Sequence, residues 1–488
     1  MTANTIEQPS STAFARVSDA DALRMYYEMP IHELGRLALA RTLQLHPEPY
    51  RTYVIDRNIN YSNICTAKCI FCNFKADPGD DDAYVLSFAE IGQKIEELID
   101  IGGTQILMQG GLVPDEHDPT GDGLPFQWYI DLLQFIRKNY PGIHIHAFSP
   151  PEIWALHRVF DMPLRDVILR LRDAGLATIP GGGGEILVDR IRDKIGRGKT
   201  LAHEWLEVMR VAHQVGMQTS CTMMFGHIET IEERFEHMRL LRELQDETGG
   251  FTAFIHWTFQ PENTPLGRMK QLPVASDLRA GRSGRASVPT VSGDQGNHGG
   301  TAARRGAERA EGLKDRRIGG LEDSSEENSS ISSNSSFDIR HSSFIGDAPN
   351  AARPNYLPDG QHLMLADGQE YLRMLAIARL YFDNIRNIQS SWVTMGPKVG
   401  QLALFFGAND MGSVMMEENV VSAAGATYRL DEGMIRRLII DAGWQPQQRD
   451  QYYNPIDRPK RRRPLPISNG SPTPANGQGG NGEGCCSH

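Results

Sequence analysis

The chain has 488 residues, 40% of them hydrophobic, enough for a barrel-sized core with further segments around it. Its formal net charge of −11 argues against a general nucleic-acid binder, and no apolar run is long enough to span a membrane. Six cysteines, three clustered and two at the extreme C-terminus, do not form a disulfide framework; with a polar start lacking any secretion signal they point to the reducing cytoplasm.

Residues 1–18 read as a disordered N-terminus and 19–50 as a helical collar in two pieces, interrupted at Pro30. From Arg51 onward, short β-branched or apolar runs alternate with amphipathic stretches, the pattern of repeated βα units. Strands are predicted at Thr52 to Ile55, Gln105 to Gln109, Ile143 to Phe148, Ala177 to Ile179, Gln218 to Met224, Phe251 to Phe259, Asn387 to Val393 and Leu402 to Phe406. Between them, Ser87 with Glu90 and Ser149 with Glu152 have the spacing of capping boxes, the second with Pro150 in its first turn. Eight such units predict an α/β fold, a (β/α)8 TIM-type barrel split into 51–275 and 355–447, with its active site at the C-terminal strand ends. The intervening 276–354 is rich in Gly, Ser, Arg and Asp; it cannot bury enough apolar surface to offset ordering, so a long disordered insertion is expected. The 448–488 segment reads as a disordered tail, with the basic run Arg458 to Pro464 and Cys485-Cys486-Ser-His488 as incidental features.

The loop after the first strand holds Asn63-Ile-Cys-Thr-Ala-Lys-Cys-Ile-Phe-Cys-Asn73, a C-x3-C-x2-C cluster. Three thiolates this close can hold three irons of a 4Fe-4S cube and leave the fourth iron open. S-adenosylmethionine is the natural ligand for it: chelated by its amino and carboxylate groups, it takes one electron and breaks into methionine and a 5'-deoxyadenosyl radical. Cys65, Cys69 and Cys72 are therefore the candidate metal ligands. The competing reading, a structural zinc site, wants four ligands, usually as two separated pairs.

Later strand ends supply candidate partners. Gly110 and Gly111, in Gln109-Gly-Gly-Leu112, let backbone approach a ligand closely, though they also suit an ordinary strand-to-helix turn. After Pro180-Gly-Gly-Gly-Gly184, Glu185 could accept hydrogen bonds from ribose hydroxyls and Arg192 could pair with a carboxylate; both also fit as plain helix decoration. The run His256-Trp-Thr-Phe-Gln-Pro-Glu-Asn-Thr-Pro265 gathers polar and aromatic groups at the predicted mouth. His256, Gln260 and Asn263 are its candidate substrate contacts, joined by Thr394; His256 also reads as a satisfied interior residue.

Together these segments resemble the radical S-adenosylmethionine (radical SAM) superfamily and, within it, the dehypoxanthine futalosine cyclase family. Asn60 through Phe74, Gln109 to Leu112, His146 to Glu152, Pro180 to Asp189, His256 to Pro261 and Ser391 through Asn419 carry the resemblance, which spans roughly Ala22 to Ala275 and Pro354 to Gln447. It implies a radical SAM barrel in which Cys65, Cys69 and Cys72 bind a 4Fe-4S cluster, Phe71 lies against adenine, and Gly110 and Gly111 meet the methionine moiety of S-adenosyl-L-methionine. Leu112 departs from the superfamily's Gly-Gly-Glu pattern, and 276–354 replaces a compact connection.

The implied reaction is cyclisation of dehypoxanthine futalosine, a step in the futalosine route to menaquinone. The adenosyl radical removes hydrogen from ribose C4', the carbon radical adds to the benzoate ring, and loss of an electron and a proton restores aromaticity. The implied partners are a small-molecule substrate and an electron donor such as flavodoxin or ferredoxin, with neither nucleic acid nor membrane. The sister enzymes aminofutalosine synthase and the second half of FO synthase share cluster and barrel and stand as alternatives, as does a non-enzymatic zinc or iron-sulfur protein. No residue is assigned to take the ring proton.

Overall fold

Two helices, Asp19–Glu28 and Ile31–Leu45, precede the first strand in the computed structural model, which describes residues 15–271 and 362–457. Ser18 caps the first by accepting from the Asp21 N–H, and Pro30, which has no N–H to give a helix interior, separates the two. Buried Tyr26 donates to Glu370 at 2.6 Å and so ties this collar to the helix Gly368–Tyr381. The insertion expected at 276–354 lies outside the described residues.

In chain order the strands are β1 (Tyr50–Val54), β2 (Asp56–Asn60), β3 (Lys68–Cys69), β4 (Gln105–Gln109), β5 (His144–Ala147), β6 (Thr178–Ile179), β7 (Gly196–Arg197), β8 (Gln218–Phe225), β9 (Phe251–Thr258), β10 (Asn387–Gln389), β11 (Asp410–Ser413) and β12 (Gln445–Gln448). Ten of them run in the order β12-β1-β11-β10-β9-β8-β6-β5-β4-β2, every pair parallel. Only Ile55 separates β1 from β2, which stand second and last in that order. The Val54 carbonyl accepts from Val414 N–H past the end of β11, and the Ile55 carbonyl from Thr104 N–H before β4. One continuous stretch, 50–60, therefore closes the curled sheet into a barrel, with β12 added beside its first half.

The pleat sorts side chains by parity. Ile106, Met108, Ile145 and Phe254 are fully buried under the outer helices, each contributing about 1.5–3 kcal/mol of burial. Their neighbours Gln105, Leu107, Gln109, His146, Ala253 and Ile255 face a central cavity. Both predicted capping boxes are formed, Ser87 with Glu90 and Ser149 with Glu152.

Two expectations need correction. The run Leu402 to Phe406 is not the eighth strand: it ends the helix Trp392–Ala403, with Leu402 47% exposed beside fully buried Ala403 and Leu404, a helical pattern. The strand is the more polar Asp410–Ser413, and β10 stops at Gln389 because Trp392 begins that helix. The tail expected to be disordered from 448 is ordered through 457. Arg449 N–H bonds to the Tyr53 carbonyl, Arg449 pairs with Asp410, and Ile456 N–H returns to Gln448.

Candidate active site

The cavity has a volume of about 390 Å³ and runs from the loop after β2 down the barrel interior. Cys65, Cys69 and Cys72 all line it. Their loop is fixed by its backbone: Cys65 N–H bonds to Ala76, Ile70 N–H to Ile195, and Cys72 N–H to Cys69. β3 pairs antiparallel with β7, setting Cys69 opposite Gly196, where a Cβ would stand 3.8 Å from its sulfur. Burial pushes the Cys69 thiol up to about 12, so a bound metal is what would hold it as thiolate. Leu112 N–H donates to Cys65 Sγ at 3.3 Å, a bond that steadies a ligating sulfur.

Among the described residues no three His, Cys, Asp or Glu side chains converge on one metal ion. A cube carries its thiolates on separate irons. The donor set, three cysteines on one rigid loop facing one cavity, thus fits a cluster with an open iron.

Gly110 and Gly111 line the cavity, and protein contacts alone demand them. A Cβ on Gly111 would fall 1.9 Å from the Ile64 carbonyl and one on Gly110 2.4 Å from the Tyr61 ring, so β4 passes directly beneath the cysteine loop. The Gly110 N–H is already committed to Glu152 at 2.9 Å. Phe71 also lines the cavity, with the Lys199 ammonium 5.2 Å from its ring centre. Glu185 faces the cavity at a positive φ of 22° and binds Lys199 at 2.8 Å. Burial alone would lower the Lys199 amine; Glu185 and Cys69 outweigh it and hold it above its ordinary value. Lys199 carries no motif of its own and escaped the sequence reading.

Other expected contacts fall elsewhere. Arg192 does not line the cavity: its guanidinium donates to the carbonyls of Gly183, Gly184 and Thr200 and to the Thr200 hydroxyl, pinning the glycine run, and the carboxylate it stands near, at 3.7 Å, is that of Glu185. His256 points outward because Ile255 and Trp257 take the inward parity of β9. It stacks between Phe254 and Tyr371, and burial lowers it to about 3. Its Nδ1 has no partner. Replacing His256 with Phe is therefore expected to keep turnover unchanged and stability within about 1 kcal/mol, checked by assay and melting. Gln260 folds back onto Thr258, and exposed Asn263 reaches the Ala423 carbonyl; neither lines the cavity. Thr394 does, with its hydroxyl 3.2 Å from that of Ser391.

Sequence reasoning missed the polar interior: Asp56, Asn58 and Asn60 of β2, Gln105 and Gln109 of β4, and Arg449, Gln451 and Tyr453 of the C-terminal segment. The alternation of Arg449, Gln451 and Tyr453 was the available signal for the last three.

A parallel barrel with three cysteines after its first strand defines a radical SAM enzyme. The Radical SAM superfamily model matches residues 59–241, and the CofH/MqnC C-terminal region model matches 361–462. The fold is shared with the FeFe-hydrogenase maturase HydG from Carboxydothermus hydrogenoformans, with a TM-score of 0.54 over 90% of this chain and 77% of that one at 12% identity. A cyclic dehypoxanthine futalosine synthase of Halalkalibacterium halodurans is 36% identical over 90% of this chain and 92% of its own length. A protein of Methanopyrus kandleri named 5-amino-6-(D-ribitylamino)uracil–L-tyrosine 4-hydroxyphenyl transferase is 32% identical over 83% of this chain and 84% of its own. The chain belongs to the cyclic dehypoxanthine futalosine synthase family of the radical SAM superfamily. That superfamily implies a 4Fe-4S cluster and S-adenosylmethionine. No helix among the described residues is long and apolar enough to cross a membrane.

Proposed function

We propose that this enzyme cyclises dehypoxanthine futalosine to cyclic dehypoxanthinylfutalosine, in the futalosine pathway of menaquinone biosynthesis. The observation that carries the reading is the 36% identity to the Halalkalibacterium synthase, spanning 92% of that protein. The geometry supports it: a cavity inside the barrel, lined among others by Arg449, Gln451 and Tyr453, suits one substrate held as a whole for an intramolecular bond.

Cys65, Cys69 and Cys72 would hold the cluster, and Phe71, Gly110, Gly111, Glu185 and Lys199 would surround S-adenosylmethionine. When bound, the two supply a 5'-deoxyadenosyl radical. The chain's own residues orient the ribose so that C4' gives up its hydrogen, and they hold the benzoate ring against the resulting carbon radical. Walls such as Leu107, Ile255 and Trp257 help to exclude water from the cavity. A small carrier such as flavodoxin or ferredoxin would deliver the electron, in the cytoplasm, where the cluster survives.

The likeness to the Methanopyrus transferase favours a second reading, a two-substrate transfer onto 5-amino-6-(D-ribitylamino)uracil. One experiment separates them: anaerobic reconstitution, then mass analysis after incubation with reductant, S-adenosylmethionine and either dehypoxanthine futalosine or the uracil with tyrosine. A product of the substrate's mass less two hydrogens is expected from the first set. Product from the second set alone would overturn the proposal.

A further inference from the structure

Four carboxylates among the described residues line the cavity: Asp56, Glu152, Glu185 and Glu418. Three are committed. Glu152 accepts from the Tyr61 hydroxyl and Gly110 N–H on one oxygen, and from the Ser149 N–H and hydroxyl on the other. Glu185 holds Lys199, with Arg192 3.7 Å from its second oxygen. Glu418 accepts the N–H groups of Val420, Val421 and Ser422. Asp56 stands apart. One of its oxygens accepts from the Ser413 hydroxyl and the other from Gln105 Nε2 at 3.2 Å, and no cation bonds to it, because Arg449 is taken by Asp410. A carboxylate oxygen can accept two hydrogen bonds, so each has capacity left.

A second observation points to a ligand at the same place. Asn58 and Gln105 are 6% and 2% exposed and line the cavity, yet the amide oxygen of each lacks a partner among the described residues. Buried polar atoms are nearly always paired, so acceptors orphaned at a cavity wall await a ligand that brings donors. Asp56 precedes Asn60 by four residues, about 13 Å along the strand. A ribose whose hydroxyls meet the Asn58 and Gln105 amide oxygens would set C4', and the ring carbon that bonds to it, beside Asp56.

Resting on the cyclase reading, we infer that Asp56 is the catalytic residue that accepts the ring proton. After the C4'–aryl bond forms, the attacked ring carbon carries both that bond and its hydrogen. One electron leaves to a one-electron carrier of the iron-sulfur or flavin class outside the chain. The C–H bond then breaks, its electron pair stays in the ring and restores aromaticity, and the proton passes to a carboxylate oxygen, leaving Asp56 neutral until solvent takes the proton.

The electrostatics agree. Burial raises the Asp56 carboxyl above its ordinary value, opposed by the Ser413 and Gln105 hydrogen bonds and by Arg449, with Asp410 adding to the rise. Arg449 and Asp410 are the charged groups that act on it. The ionised form is the base, so cyclisation should climb with pH through this raised pKa and level off above it.

The test uses full-length, anaerobically reconstituted enzyme with dehypoxanthine futalosine. If wild type gives no cyclic product, the functional reading falls and this inference with it. With wild type active, Asp56→Asn is expected to melt normally, to bind the substrate in anaerobic calorimetry on the reconstituted enzyme without S-adenosylmethionine, and to go on forming 5'-deoxyadenosine when S-adenosylmethionine and reductant are added. Its cyclic product per deoxyadenosine should drop about 100-fold. A wild-type ratio in this variant overturns the assignment. Ser413→Ala keeps the carboxylate and decides the matter even where Asp56→Asn does not fold. Loss of one hydrogen bond to the charged form should move the rising limb of the pH profile up by about one unit, and an unmoved limb overturns the assignment.

Discussion

Alanine at Cys65, Cys69 or Cys72 is expected to abolish reductive cleavage of S-adenosylmethionine while leaving the barrel folded. Each thiolate would hold one iron, and no other cysteine among the described residues lines the cavity to replace it. The remaining described cysteine, Cys221, is fully buried, its sulfur donating to the Ala253 carbonyl. A cube short of one protein ligand loses the defined open iron, so radical formation falls to background, a loss of at least about a millionfold. The fold has little stake in these side chains. Backbone bonds from Cys65 to Ala76 and from Ile70 to Ile195, with the β3–β7 ladder, hold the loop, so each variant should cost roughly 1 kcal/mol or less. Deoxyadenosine by chromatography, cluster absorption and the melting temperature are the three readouts. Wild-type deoxyadenosine from any one variant would sink the cluster assignment.

The cysteine triplet was legible because its chemistry lies within eight consecutive residues. The barrel was legible too, since βα alternation recurs along the chain, although β2 and β12 were not foreseen, the strand from Asn387 was drawn too long and the eighth was misplaced. There the apolar run Leu402 to Phe406 outscored Asp410–Ser413, whose polar side chains are turned to the interior or bonded across strands. Pleat parity was not legible. In a parallel barrel both strand faces are covered, so nothing in His256-Trp257 says which one looks inward. Arg192 misled for a related reason: a glycine run has carbonyls to satisfy, and a nearby guanidinium meets that need before any ligand arrives. Asp56 was invisible because barrel closure pairs it with Ser413, 357 positions away, a distance at which no local pattern operates.

Arg449→Met is the other substitution expected to have a large effect, and it acts at the opposite end of the cavity. The Arg449 guanidinium donates to both Asp410 oxygens, at 2.6 and 3.1 Å, reaches Gln389 at 3.3 Å and lies 3.8 Å from the centre of the Tyr453 ring. Both charges are shut away, at 2% and 0% exposure. Asp410 also accepts from Thr52 and from the Gly412 N–H, so its carboxylate joins β1, β11 and the C-terminal segment. Burial alone would lower the Arg449 pKa; Asp410 outweighs it and holds the group above its ordinary value, so the guanidinium stays charged throughout the working pH range. Methionine matches the length of the arginine stem but leaves Asp410 as an uncompensated buried anion. Such a loss costs about 3–5 kcal/mol, a fall of roughly 10 °C in Tm. Because Arg449, Gln451 and Tyr453 form the cavity wall, turnover should weaken through KM before the protein unfolds. The double variant Asp410→Asn with Arg449→Met removes the stranded charge and should recover most of the lost stability. A single variant that melts within 2–3 °C of wild type, less than about 1 kcal/mol, would mean that strand pairing by β12, and not this ion pair, holds the floor of the barrel.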